Sequence, residues 1–244
     1  MKPHNDSPAF HPLYRQIKAL ITQSLVAAEW KPGTVIPSEL DLAKRYNVSQ
    51  GTVRKAISEL AEEKLLVRYQ GRGTFVASHA EERVQFPFLR ITPDQGDLAN
   101  LSATLISLER LRADARCSQA LRIKRGASVL QLKRRLALNG KDVCFEEVHL
   151  PVALFKGLSV ALVERHECML YSMFEGAFGV RALHAHERIR AVEAMGEAGR
   201  ELKVAPSSPL LLVERVTTTY SGIPMEWRMS YCDTRLHHYR NLIN

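Results

Sequence analysis

The four cysteines, Cys117, Cys144, Cys168 and Cys232, include no C-x-x-C pair, and their scattered spacing fits neither a zinc ribbon nor a disulfide frame. Reduced thiols are expected. Long apolar runs are missing too: no stretch reaches the length of a membrane span, and Met1-Lys2-Pro3-His4-Asn5-Asp6 has no signal-peptide core. The expectation is a cytoplasmic protein with no membrane partner. No G-x-S-x-G, Walker loop or H-E-x-x-H sequence occurs, so nothing asks for a catalytic residue or a cofactor. His166 and Cys168, with His184 and His186, match no known ligand spacing, and no metal site is expected.

The chain does have 45% hydrophobic residues over a length of 244, enough for a small domain followed by a medium one. Its net charge of +8 invites a polyanionic partner. Residues 1–78 hold eleven Lys/Arg against seven Asp/Glu, so half of the positive surplus sits in a third of the length.

That first third has a helical rhythm. Leu13, Ile17, Leu20, Ile21 and Leu25 recur at helical spacing and stop before the turn at Pro32-Gly33. Ser38 is placed to cap a second helix that carries Leu40, Leu42, Ala43 and Tyr46 and ends at Asn47. Two residues later Ser49 can cap a third. There Val53, Ala56, Ile57, Leu60 and Ala61 form an apolar stripe, opposite Gly51, Arg54, Lys55 and Ser58. Two short helices so tightly joined make a helix-turn-helix, with the third helix as a candidate for a DNA major groove. Lys64–Tyr69 and Thr74–Val76 then flank Gln70-Gly71-Arg72-Gly73 as a β-hairpin, where Arg68 and Arg72 can meet phosphates. A winged helix-turn-helix results.

Tyr14 with Ile17, Pro32-Gly33, Ile36-Pro37-Ser38-Glu39, Leu42-Ala43, Val48-Ser49, Thr52-Val53-Arg54, Ala56-Ile57, Leu60, Leu65-Leu66 and Gln70 to Val76 resemble the DNA-binding domain of GntR-family bacterial transcription regulators. The resemblance implies double-stranded operator DNA as a partner and a homodimer on a palindromic site. The DNA-facing set it suggests is Ser38, Glu39, Lys44, Ser49, Gln50, Gly51, Thr52, Arg54, Lys55, Arg68, Gln70, Gly71, Arg72, Gly73 and Thr74. Arg54 matches the family's DNA-contacting arginine. The family commonly has Arg after the Val-Ser pair, where this chain has Gln50. Gln pairs bidentately with adenine and Arg with guanine, which leaves a different operator preference open.

Beyond a mixed segment, read as a linker that becomes the rim of the next domain, the chain is strand-rich. Leu130–Leu138 alternates, turns at Asn139-Gly140 and resumes at Val143–Leu150. Leu210–Tyr220 and Met225–Cys232 form a second hairpin about Ser221-Gly222, so the domain loosely repeats itself. Helices are expected up to Gly179 and over Ala194–Leu202, with a strand at about 186–192 between them. Leu98–Ser118 carries no clear motif. Leu130, Leu132, Arg134, Leu136 and Leu138 share one strand face, so Arg134 interrupts an apolar surface and needs an anionic partner. Glu146 on the next strand, or a ligand, can supply it.

Leu154-Phe155-Lys156-Gly157-Leu158, Leu170-Tyr171, Phe178-Gly179, Leu210-Leu211, Glu214-Arg215-Val216 and Gly222 to Glu226 resemble the UTRA effector domain of the HutC-type branch of GntR regulators. The implied fold is α+β: residues 1–77 a winged helix-turn-helix, 78–96 a linker, and 97–244 a mixed α/β, chorismate-lyase-like domain with an antiparallel sheet. In the family an arginine matching Arg134 holds the effector's acidic group, and acids matching Glu146 and Glu226 take its hydroxyl or amine groups. Tyr171 matches as well. The Ser usually found two residues before it is Met169, and a second arginine common in sugar-phosphate sensors is Leu136. A small carboxylate or other anionic metabolite is therefore expected, with His149, Arg90 and Arg228 as further candidates. The rivals are a lyase-like enzyme on this fold and a DNA-binding protein without an effector.

Overall fold

The structure, a computed structural model, describes residues 12–27, 29–78, 90–95, 100–167 and 169–241. The chain divides into two compact units, Met1–Glu81 and Glu82–Asn244. No helix among the described residues is long and apolar enough to cross a membrane.

In the first unit, helices α1 (Leu13–Val26), α2 (Glu39–Tyr46) and α3 (Gln50–Glu62) precede a hairpin of β1 (Leu66–Tyr69) and β2 (Gly73–Val76). The apolar stripe of α3, Val53, Ala56, Ile57 and Leu60, is fully buried with Ile17, Ile21 and Leu25 of α1 and Leu42 of α2. The short connection between α2 and α3 follows from two local choices. Asn47 adopts the left-handed conformation (φ 52°) and ends α2. Ser49 then caps α3, its hydroxyl accepting from the Thr52 N–H at 3.2 Å. The Ile36 N–H donates to the Thr74 carbonyl and the Val76 N–H to Thr34, which ties the segment before α2 to the outer strand of the hairpin.

The second unit is built on a six-stranded antiparallel sheet. Its strands are β4 (Leu101–Arg112), β5 (Ser128–Leu138), β6 (Lys141–Pro151), β7 (His184–Glu193), β8 (Pro209–Thr218) and β9 (Pro224–Cys232), in the order β4-β5-β6-β9-β8-β7. The expected repeat is present and larger than the two hairpins. β4, α4 (Ala115–Leu121), β5 and β6 form one meander, and β7, α7 (Gly196–Glu201), β8 and β9 form the other. They join along β6–β9. Helices α5 (Val160–Arg165) and α6 (Leu170–Phe178) pack Val163, Leu170, Met173 and Phe174 on one face of the sheet with Leu132, Val148 and Leu150. On the other face α4 packs Cys117 and Leu121 with Val129, Trp227 and Met229, and α7 packs Ala198 near Phe145 and Leu210.

The structure corrects two of these expectations and adds to a third. Part of the span read as a linker is a strand: β3 (Ile91–Pro93) pairs with β10 (His237–Tyr239), burying Ile91; residues 79–89 and 96 of that span lie outside the described residues. The motif-poor Leu98–Ser118 contains a twelve-residue edge strand, β4, whose alternation is blurred because its last residues, Glu109 to Arg112, are exposed on both faces. Most plainly, Cys144 and Cys232 are not reduced thiols but a disulfide. They are 88 residues apart, and only the β6–β9 pairing, in which they are direct partners, brings them together. Cys117 is free and buried, and Cys168 lies outside the described residues.

Candidate functional site

The first unit presents one continuous polar face made by α2, α3 and the hairpin. Ser38 and Ser49 cap the two helices, and Thr52 turns its hydroxyl to Ser49 at 2.8 Å. Lys44, Gln50, Gly51, Arg54 and Lys55 are exposed on the helices, and Arg68, Gln70, Gly71, Arg72 and Gly73 on the hairpin; Thr74 is half-buried. Gly71 (φ 72°) and Gly73 (φ 104°) shape the tip, and a Cβ at Gly73 would come within 3.3 Å of Val35. Arg72 lies over the Tyr69 and Phe75 rings, and the Lys55 ammonium sits 4.0 Å from the centre of the Tyr14 ring.

At the centre of this face stands Glu39, in the first turn of α2. One carboxylate oxygen accepts from Arg54 Nε at 2.9 Å and from Gln50 Nε2 at 3.4 Å; the other accepts from Arg68 at 3.3 Å. Arg68 also donates to the Arg54 carbonyl. Sequence spacing gave no sign of this junction, because its members come from three elements.

In the second unit, the α6-facing side of the sheet holds a buried cluster of charge. Arg134 Nε donates to Glu146, its direct cross-strand partner, at 2.7 Å. Ser230 donates to the same carboxylate at 2.7 Å, and Arg228 reaches it at 3.2 Å. The other end of the Arg228 fork donates to Glu226 at 2.8 Å, and Glu226 also accepts from Tyr171 at 2.9 Å and from Thr217. Arg215 repeats the Arg134 arrangement on the second meander, donating to its cross-strand partner Glu187 at 2.7 Å. Glu187 in turn accepts from Tyr239 and lies 3.9 Å from Arg90 at the rim. Arg134, Glu146, Glu226, Arg228 and Arg215 are all buried.

Burial alone would raise the Glu146 pKa, but Arg134, Arg228 and the Ser230 hydroxyl outweigh it and hold the carboxyl at about 2. Burial likewise opposes the charge on Arg228, and the two glutamates more than restore it. The phenol of Tyr171 is pushed up, first by burial and then by Glu226, so it remains a donor. Arg228 Nε is buried and has no hydrogen-bond partner among the described residues.

The structure thus brings together Arg134, Glu146, Tyr171, Glu226 and Arg228, and puts Arg90 at the edge of the cluster. It does not bring His149. That side chain, one residue beyond Val148, points to the opposite face, where it meets Gln131 at 3.1 Å and stacks on Trp227; burial lowers its pKa. Arg215, Glu187, Thr217 and Ser230 were not anticipated. The signal that marked Arg134, a charge at an inward strand position, marks Arg215 as well, between Val213 and Thr217.

Residues 13–76 match the family described as bacterial regulatory proteins, gntR family, and residues 99–238 match the UTRA domain. The chain belongs to the GntR family of transcription regulators, in its UTRA-bearing, HutC-type branch. Among its relatives is the mannosyl-D-glycerate transport/metabolism system repressor MngR of Escherichia coli K12, 30% identical over 86% of this chain and 85% of that one. Another is the uncharacterized HTH-type transcriptional regulator YurK of Bacillus subtilis, 29% identical over 93% and 91%. The ligand-binding domain of a protein described as a GntR-family transcriptional regulator from Bordetella bronchiseptica is 36% identical, with a TM-score of 0.61, over 64% of this chain and 98% of its own. The regulator YydK of B. subtilis shares the fold across 96% of this chain and all of its own, at a TM-score of 0.57 and 19% identity. GntR relatives of this kind are regulators, not enzymes. The family thus makes the chain a DNA-binding regulator with an effector domain.

Proposed function

We propose that this regulator is a cytoplasmic repressor that binds a two-fold symmetric operator as a homodimer and answers to a small anionic metabolite in its UTRA domain. Two recognition helices related by a dimer axis meet successive major grooves about one DNA turn apart, which is why the operator would be palindromic. The observation that carries the effector reading is a charge balance. Arg134, Arg215 and Arg228 are matched by Glu146, Glu187 and Glu226, and Arg90 at the rim adds a fourth cation. One more negative charge completes the set, and the idle Nε of Arg228 offers it a donor. A relative named for a mannosyl-D-glycerate system, whose compound carries a carboxylate, is in keeping with this.

The expected anchor, Arg134, is one cation of this set. Arg134 and Arg228 both donate to Glu146, and Arg228 to Glu226 as well, so the acidic group would meet Arg90 and the remaining Nε of Arg228. The same internal pairing favours a second reading, a purely structural cluster in an effector-independent regulator. Thermal shift and operator binding against a panel of carboxylates, with neutral sugars as controls, separate the two. The expected result is an anion that raises the melting temperature and changes operator affinity in the wild type, with a response weakened roughly tenfold in Arg90→Gln. A panel in which no anion does either leaves the structural reading. Light scattering on the free protein tests the dimer, and a monomer at working concentration would refute it.

A further inference from the structure

The polar face of the first unit contains an acid where phosphate attraction alone would favour none. Glu39 lies between Arg54, Arg68 and Gln50 and is hydrogen-bonded to all three. We propose that Glu39 is a positioning residue that makes Gln50 and Arg54 a single two-base reader, specific for an adenine and a guanine within two base-pair steps of each other. The proposal rests on the DNA-binding reading of this face and goes beyond it by naming what is read.

The atoms that Glu39 occupies and those it leaves free define the reader. It takes Nε of Arg54, so the two terminal nitrogens of the guanidinium stay available as an end-on fork, the geometry that fits O6 and N7 of guanine. It takes one of the two N–H bonds on Gln50 Nε2. The amide oxygen and the other N–H remain, and these are the acceptor and donor that match N6 and N7 of adenine. Gln50 and Arg54 are four residues apart on α3, a rise of about 6 Å along the helix. Two base-pair steps span about 7 Å at 3.4 Å each. The second carboxylate oxygen holds Arg68 of β1, so one side chain fixes the recognition helix against both α2 and the hairpin.

Glu39 also has a cost that separates positioning from simple attraction. Its negative charge, 21% exposed beside two arginines, weakens the pull of any phosphate backbone. Removing the charge should therefore move affinity and discrimination in opposite directions. A residue that merely supports the fold would lower both.

The test is selection of full-length protein on a pool of randomised DNA duplexes, followed by titration of the selected site and of random duplex at several salt concentrations. The wild type should select an adenine and a guanine within two steps in each half-site. Gln50→Arg should change the adenine preference to guanine and leave the other position alone, and Arg54→Ala should erase only the guanine. In Glu39→Gln, preference at both positions should fall roughly tenfold. Its affinity for random duplex should rise, with a salt dependence steeper by about one phosphate, and its melting temperature should stay near that of the wild type. A Glu39→Gln protein that keeps both preferences, or loses affinity equally on all duplexes, overturns the positioning role. A wild type that selects no motif at all overturns the DNA-binding reading itself.

Discussion

The exchange of one partner decides what a mutation in the charge cluster reports. Glu146 is 2% exposed and shared among Arg134, Arg228 and Ser230, so Arg134→Ala would leave a buried carboxylate with its principal cation gone. Breaking a buried pair from one side costs roughly 3–5 kcal/mol, which is much of a domain's net stability. Urea unfolding of Arg134→Ala should show a loss of that order; a loss under about 1 kcal/mol would mean that water or rearrangement already screens the pair. A missing effector response in that variant would then say little about ligand contact, and the more exposed Arg90 is the better probe. Acid should act through the same group. The folded pKa of Glu146, about 2, lies below its ordinary value, so the stability it contributes is present above about pH 4 and is lost as pH falls toward 2. Melting temperatures of the wild type should fall over that window more steeply than those of Glu146→Gln, which has no such proton to take up. Parallel profiles would assign the acid sensitivity to other carboxylates.

Helix ends and strand faces show what sequence can and cannot declare. Ser49 satisfies an orphan N–H at the start of α3, and Ser49→Ala should cost about 1 kcal/mol in the first unit's unfolding free energy, measured by circular dichroism, without altering the second transition. An unchanged midpoint would mean that water replaces the cap at no cost. Features of this local kind were legible in advance: the caps at Ser38 and Ser49, the left-handed stop at Asn47 that separates α2 from α3, the Asn139-Gly140 turn and the αL glycine at Gly179 all depend on neighbours within a few residues. The pairing of Arg134 with Glu146 was visible as an alternative because one tight hairpin sets their register. What lay hidden needs contacts across many residues. Glu39 meets Gln50, Arg54 and Arg68 from three elements, and Ile91 reaches Tyr239 across most of the second unit, whereas the place of His149 on the face opposite Glu146 follows from strand alternation alone. Arg215 could have been found by the argument that found Arg134.

Across the effector domain as a whole, two similar meanders meet at β6–β9, and the features that matter most lie on that seam. Cys144 and Cys232 are register partners there; two positions along the ladder Glu146 faces Ser230, and four along Val148 faces Arg228. The disulfide therefore closes a loop of 88 residues that contains α5, α6, β7, α7 and β8, nearly all of the second meander. In the chain-entropy account a cross-link of that span removes roughly 4–5 kcal/mol of unfolded-state freedom. Native contacts do not depend on it, since the ladder and the shared carboxylates join the same two strands without it. Peptide mapping of protein purified without reductant should recover Cys144 linked to Cys232, with Cys117 slow to alkylate because burial pushes its thiol up to about 11. Added reductant should shift the second unit's urea midpoint downward and leave its native spectrum and the first unit's midpoint alone. An unchanged urea midpoint would mean that the closed loop is already restrained in the unfolded chain, and a lost native spectrum would mean that the seam needs the bond to form at all.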